Sequence, residues 1–301
     1  MDLNPGELLT RLLPNCLLGQ AATPSAQRLA DLLGIDVREL PAVRLGPRYH
    51  YRPFTIRKPD GRERRLLAPS PALKVLQRRL LDRYLAALPL HAAATAFHAG
   101  ASNVLNARRH AHGRLIATVD VRDFFESTRA ARVRAFFVRQ GWHDAELHTL
   151  MRLCVYRNGL PQGAPTSPCL SNLVNRPLDE RLENLARRMQ ATYTRYADDL
   201  TFSWDRDHLP DGFRPAVEDA LHAAGYEVQP AKGWRIHGIG DRPVVTGLVL
   251  AGNGRVYVPW SLRWRLWRWR WQAWWSGDAS APLRLHGLES YVRSCAAVPE
   301  A

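Results

Sequence analysis

The residues best suited to chemistry in this chain are three aspartates. Two of them stand in the step Tyr196-Ala197-Asp198-Asp199, which lies between residues 191–194 and 200–204, both rich in aromatic and β-branched side chains. Such runs on either side of a tight polar step predict a β-hairpin with the acids at its tip. Adjacent carboxylates repel unless a cation neutralises them. Hard divalent cations such as Mg²⁺ take oxygen ligands, typically one or two carboxylates together with substrate phosphates. An isolated Asp-Asp pair is more often a solvated turn, and a third acid in a matching context decides against that here. Asp120 closes the run Leu115-Ile116-Ala117-Thr118-Val119-Asp120, whose apolar and β-branched residues predict a buried strand. Acids so far apart in the chain meet only if their strands are neighbours in one sheet. Three carboxylates on two metals about 4 Å apart are the apparatus of in-line phosphoryl or nucleotidyl transfer.

The elements that would position these acids can be read on both sides of them. Residues 49–56 and 64–69 read as two strands about the turn Lys58-Pro59-Asp60-Gly61-Arg62, a hairpin dense in arginine that suits a phosphate-gripping flap; a solvated charged hairpin is the alternative. A helix is expected over residues 71–90, stopped by Pro89, and further helices over 130–140, 144–155, 178–190 and 213–225. Residues 159–168 form a turn-rich loop opening a helix; Gly163 would let the backbone approach a substrate closely, and Gln162 could bond a base or sugar edge. Strands are expected over 226–228 and 244–250, the latter returning through the Asn253-Gly254 turn into 255–258. Residues 1–45 read as short helices, one starting at Thr23 or Ser25. Trp260, Trp264, Trp267, Trp271 and Trp274 recur at steps of four and three, one face of a helix, with Arg263, Arg265, Arg268 and Arg270 on the others. That helix could lie on a membrane, or bury its tryptophan stripe and track phosphates with its arginines.

The strand ending at Asp120, the segment Gly159-Leu160-Pro161-Gln162-Gly163-Ala164-Pro165-Thr166-Ser167-Pro168 and Tyr196-Ala197-Asp198-Asp199 resemble, in order, the three central motifs of reverse transcriptases. Asn106-Ala107-Arg108-Arg109-His110, Val245-Thr246-Gly247 and residues 290–294 resemble segments of the bacterial retron-type members. The resemblance covers roughly residues 45–295. It implies an α+β right-hand polymerase fold with an antiparallel palm sheet: an N-terminal helical extension (1–45), fingers (46–113), palm (114–258, with fingers-associated helices 127–190 inserted) and a helical thumb (259–301), which favours the thumb reading of the tryptophan helix. Asp120, Asp198 and Asp199, with the Val121 backbone carbonyl, are then expected to hold two Mg²⁺, with Mn²⁺ as a substitute. Arg64 takes the triphosphate-contacting place, Gln162 and Gly163 contact the nucleotide and templating pair, and Phe125 packs under the incoming sugar, plain core packing being its alternative. Lys232 stands where the family carries a basic residue that can protonate departing pyrophosphate; an ordinary surface lysine is the alternative. Asn106, His110, Val245, Thr246 and Gly247, with Arg263 and Arg270, are expected to serve RNA or primer binding.

By the same resemblance the chain copies part of a structured noncoding RNA of msr-msd type into DNA. It primes from a 2′-hydroxyl of a guanosine to leave a branched product, uses dNTPs, and works with a separate effector protein in anti-phage defence. The alternatives are another bacterial reverse transcriptase without branched priming, or a polymerase fold that only binds RNA. Composition agrees with a polyanionic partner: 42 Lys+Arg against 28 Asp+Glu leave a formal net charge of +14 in 301 residues. Only Lys58, Lys74 and Lys232 are lysines, and lysine, unlike arginine, can give up its proton. Four cysteines without close spacing (Cys16, Cys154, Cys169, Cys295) fit packing residues in a reducing cytoplasm. An acidic start without a basic n-region is not expected to be a secretory signal, and no apolar run is long enough to span a membrane.

Overall fold

A computed structural model describes residues 23–57, 61, 63–251, 253–276 and 281–296. Helix α1 (Pro24–Leu33) starts where Thr23 accepts the Ala26 N–H at 3.1 Å, with proline at the first helical position. The short helix α2 (Leu40–Leu45) follows; the apolar spacing expected over residues 8–13 lies outside the described residues. Strands β1 (Tyr51–Arg57) and β2 (Glu63–Pro69) form the expected antiparallel hairpin, in register from Tyr51↔Pro69 to Arg57↔Glu63. Of its tip only Gly61 is described. Helix α3 (Pro71–Arg83) ends six residues short of the expected stop at Pro89. Tyr84 leaves helical geometry (φ −135°) because it is buried edge-on against Trp142, whose indole N–H donates to its hydroxyl at 3.0 Å. A tertiary contact here overrides local propensity.

Helix α4 (Asn103–Arg108) leads to the central strand β3 (Leu115–Asp120). Helices α5 (Phe124–Ser127), α6 (Ala130–Arg139) and α7 (Asp144–Cys154) follow, then a loop and helices α8 (Ser167–Val174) and α9 (Arg176–Arg188). Strands β4 (Thr192–Tyr196) and β5 (Asp199–Trp204) form the second hairpin, followed by α10 (Phe213–Ala223) and β6 (Trp234–Gly238). Short strands β7 (Val244–Val245), β8 (Leu248–Leu250) and β9 (Val256–Tyr257) and helices α11 (Trp260–Ser276) and α12 (Ala281–Ala296) complete the described chain.

The main sheet is antiparallel in the order β4-β5-β3-β6, so β3 is flanked on both edges and every one of its residues is buried. Side chains alternate between faces. Ala117, Val119, Tyr193, Leu200, Phe202 and Trp204 point to the face packed on Leu178 and Leu182 of α9 and on Phe213, Val217 and Leu221 of α10. The opposite face carries Thr118, Asp120, Asp199, Thr201 and Ser203. A second apolar core joins α1 and α2 to α3, α6, α7 and α8, and a third joins α4 to the small β7-β8-β9 sheet and Cys295.

Three expectations are corrected. Residues 226–228 are not a strand of the sheet: they make one isolated bridge, Val121↔Val228, and the fourth strand is β6. The single strand expected over 244–250 is two, because Thr246 (φ 46°) and Gly247 (φ 82°) make a two-residue turn of positive φ between them. Among the described side chains the tryptophan stripe is not buried: Trp260, Trp264, Trp267 and Trp271 face solvent, at 72% exposure for Trp260 and 60% for Trp267, and the Trp274 side chain lies outside the described residues. α11 is held by its other side, where Leu266 is buried and Leu262 packs on the third core.

Candidate active site

The three aspartates meet at one end of the main sheet. Asp120 and Asp199 are directly paired across β3 and β5, and Tyr196 pairs with Asp199 across the hairpin, which leaves Ala197-Asp198 as its two-residue turn. Ala197 takes the left-handed conformation (φ 58°) that such a turn demands. The Val121 N–H donates to the Asp198 carbonyl at 2.8 Å, closing the turn onto the end of β3.

Burial makes this corner electrostatically costly. Asp199 is raised to about 7, first by burial and then by the charge of Asp120, and one of its oxygens, Oδ1, is buried with no hydrogen-bond partner. Asp198 is raised too, by burial and by Asp120, against the pull of Lys232 and Arg64. Asp120 is the one of the three with cations on it: Lys232 Nζ bonds Oδ1, and Arg235 Nη2 donates to Oδ2 at 3.0 Å while its Nε donates to Thr118 Oγ1 at 3.0 Å. Among the described residues no group of three His, Cys, Asp or Glu is gathered at metal-ligand spacing. The donor set nevertheless fits a hard divalent cation, for it offers three carboxylates, one with an orphaned buried oxygen, in a corner that burial makes hungry for positive charge.

The other expected residues fall at varied distances from this corner. Arg64, on β2, is exposed, and its charge acts on both Asp198 and Glu126. Phe125 is half-buried between the first two cores, against Phe97 and Phe124 at ring separations of 6.1 and 5.6 Å. Gly163 (φ 129°) makes its close approach to the β1–β2 hairpin: a Cβ there would lie 2.7 Å from the Leu67 carbonyl oxygen, and the Leu67 N–H donates to the Gln162 carbonyl at 2.9 Å. Gln162 stays half-exposed. Asn106 and His110 are wholly buried. Asn106 accepts from Thr95 Oγ1 at 2.6 Å and donates to Thr246 Oγ1 at 3.5 Å; His110 bonds Ser203 Oγ and Thr194 Oγ1 at 2.8 and 2.7 Å. The two retron-like segments therefore touch each other, and any part Asn106 and His110 take in RNA binding passes through the elements they fasten. Val245 is buried and Gly247 exposed at the β7–β8 turn. Arg263 and Arg270 are exposed, Arg263 over the Trp260 ring at 5.6 Å and Arg270 3.6 Å from Glu289.

Two groups beside the site escaped the sequence reading. Arg235 reaches Asp120 only because β6 pairs Arg235 with Thr118, a register that no local pattern announces. Arg195, within the strand leading to the acids, is buried on Asp179; an arginine inside an otherwise apolar and β-branched strand was the available signal.

The family model described as reverse transcriptase (RNA-dependent DNA polymerase) matches residues 56–237, more than half of the chain and all three aspartates. Retron Mx162 reverse transcriptase of Myxococcus xanthus is 35% identical over 269 residues, 79% of this chain and 55% of that protein. Retron Mx65 reverse transcriptase of the same organism is 36% identical over 67% of this chain and 51% of its own length. Retron Ec86 reverse transcriptase of Escherichia coli is 38% identical over 67% of this chain and 64% of its own. The chain thus spans between half and two thirds of the length of these relatives. The paired acids of the main sheet and the extent of these matches lead to one conclusion: this chain belongs to the reverse transcriptase (RNA-dependent DNA polymerase) family, where the relatives it is similar to are retron reverse transcriptases of bacteria.

Proposed function

We propose that the chain is the RNA-directed DNA polymerase of a retron, copying part of a structured noncoding RNA into DNA from a guanosine 2′-hydroxyl to give a branched product. The observation that carries the polymerase reading is the direct pairing of Asp120 with Asp199 beside the Asp198 turn. The retron reading rests on the names of the relatives and on the segments 106–110 and 245–247. Asp120, Asp198 and Asp199, with the Val121 carbonyl, would hold two Mg²⁺ (or Mn²⁺), which supply activation of the attacking hydroxyl and neutralisation of charge at the leaving pyrophosphate. Lys232, already on Asp120, gives a proton to the departing group. Arg64 grips the triphosphate, Phe125 closes the space at the sugar 2′ position, and Gln162 with Gly163 orders the loop against the nucleotide. The turn Val245-Thr246-Gly247 steadies the primer, with Asn106 fixing it through Thr246 and His110 fastening the end of α4 to β4 and β5, and Arg263 and Arg270 contact RNA phosphates. Among the described residues no helix is long and apolar enough to cross a membrane; cytoplasmic action, with a separate effector in anti-phage defence, completes the reading.

Primer extension on an RNA template tests the assignment. Asp198→Asn removes a ligand and little volume, so nucleotide addition should fall to background while RNA binding and the melting temperature stay at wild-type values. Extension near the wild-type rate by that variant would remove Asp198 from the site. Sequencing the nucleic acid that copurifies with the protein, before and after debranching, checks the guanosine priming.

A further inference from the structure

Arg195 is wholly buried, and so is Asp179. Its Nε and Nη2 fork onto the two Asp179 oxygens at 2.8 and 2.6 Å, and the Tyr193 hydroxyl adds a third bond to Asp179 at 3.0 Å. That fork satisfies the charge. The remaining arm, Nη1, points elsewhere: it donates to the Ala197 carbonyl at 3.3 Å and to Asn172 Oδ1 at 3.1 Å. Ala197 is the left-handed residue of the turn that carries Asp198, a conformation disfavoured for any residue with a Cβ. Asn172 lies in α8, the helix opened by the 159–166 loop, and its Nδ2 donates to the Ala96 carbonyl at 2.7 Å. The backbone of Arg195 is clasped as well: its N–H donates to the Ala93 carbonyl at 2.7 Å and its carbonyl accepts the Thr95 N–H at 2.9 Å. One buried side chain therefore touches the turn of the acids, the helix behind the nucleotide loop and, through its backbone, the segment 93–95.

Stability alone does not account for this arrangement. A buried ion pair contributes little net stability against apolar residues of the same volume, because desolvation offsets the attraction. We propose that Arg195 is a positioning residue, whose Nη1 bond to the Ala197 carbonyl holds the left-handed turn that sets Asp198 and Asp199, and whose bond to Asn172 ties that turn to the helix carrying the nucleotide loop. Asp179 orients the guanidinium so that this arm is free to do so. The proposal rests on the polymerase reading given above.

The test replaces the buried pair without leaving a lone charge: Arg195→Met, Asp179→Leu and Tyr193→Phe together. The triple variant should melt at or above the wild-type temperature. Its single-turnover rate of nucleotide addition should fall about tenfold or more with the KM for dNTP changed less than about twofold, the pattern of a group needed in the transition state and not for uniform binding. Mn²⁺ affinity, read by electron paramagnetic resonance without any turnover, should fall about fivefold or more, because misplaced carboxylates no longer share a cation. Ala197→Gly added to the triple variant should recover part of both losses, since glycine takes positive φ without help. A folded triple variant with wild-type rate and wild-type Mn²⁺ affinity overturns the proposal. Should the triple variant not fold, Arg195→Lys decides. It keeps a cation for Asp179 but cannot span to Ala197, so it should fold and still lose rate and Mn²⁺ affinity; wild-type values of both would overturn the proposal. Wild-type protein that never extends a primer would sink the polymerase reading, and the Mn²⁺ titration would still judge Arg195 on its own.

Discussion

Asp199 shows how one residue stores the need for a cation. Burial and the charge of Asp120 raise it to about 7, and one of its oxygens has no partner. A carboxylate in that state costs folding energy when ionised and regains it when a cation arrives. Phe125 is the second residue whose role turns on its immediate surroundings. It is wedged between Phe97 and Phe124 yet only half-buried, which is what a side chain with one face in the core and one toward a sugar requires. Phe125→Val should raise the efficiency of ribonucleotides relative to deoxynucleotides by about tenfold or more, the scale on which hydrophobic volume discriminates substrates. A competition assay with both nucleotides checks it, and an unchanged ratio would leave Phe125 a core residue only.

At the scale of elements, α4 and the 159–166 loop each act through a fastening to a neighbour. His110, just beyond α4, bonds one hydroxyl on β4 and one on β5 from a fully buried position, and burial lowers it from 6.5 to about 3. Between those two pH values the unfolded chain binds a proton that the folded chain refuses. Stability should therefore fall as pH drops from about 6.5 toward 3, by an amount on the order of a few kcal/mol. His110→Gln should cost about 1–3 kcal/mol near neutrality through its lost hydrogen bonds. The gap to wild type should narrow in acid, as urea denaturation at pH 7 and pH 4.5 would report; a constant gap would contradict a neutral buried imidazole. The loop depends on Gly163, where a Cβ would strike the Leu67 carbonyl oxygen. Gly163→Ala should push the loop from the hairpin that carries Arg64 and lower kcat/KM for dNTP about ten- to a hundredfold, in keeping with the cost of small misplacements at a reacting site. Steady-state kinetics checks this, and a wild-type value would show that the clasp does not matter to the nucleotide.

For the whole molecule the surplus of positive charge matters most, and the exposed α11 is where it is densest. Arg263 has solvent access beside Trp260, whereas Arg270 shares its charge with Glu289. Replacing both should flatten the dependence of log K for RNA on log salt by between about 0.7 and 1.8, the lower figure holding if Glu289 already neutralises Arg270. Trp267 is exposed, so Trp267→Ala should change stability by less than about 0.5 kcal/mol but weaken RNA binding by about 1–3 kcal/mol where the indole stacks on a base. RNA titrations at several salt concentrations, with thermal melts, separate the two effects. Sedimentation of the protein with anionic vesicles, together with an unchanged salt slope, would assign the helix to a membrane surface instead.

The sequence by itself determined what depends on neighbours along the chain. A continuous apolar and β-branched run marked β3, alternation of side chains marked the β4–β5 hairpin, an Asp-Asp step marked its tip, and the order of three motifs marked the family, because strand patterns and turn chemistry are written within a few residues. A helix start at Thr23 or Ser25 and the arginine-rich hairpin were legible for the same reason, and the fold chose Thr23 as the cap. Tertiary structure alone decided which surfaces met. β6, not residues 226–228, became the strand beside β3 and so delivered Arg235 to Asp120. The periodicity of the tryptophans told that they share a face, but Leu262 and Leu266 took the core and turned that face outward. The segments at 106–110 and 245–247 could be recognised separately, while their mutual contact through Asn106 and Thr246 needed the fold. The pairing of Arg195 with Asp179 likewise joins a strand to a helix that no local pattern connects. Period and propensity act over one turn or one strand, whereas burial of a charge depends on a partner whose place is set by the packing of the entire core.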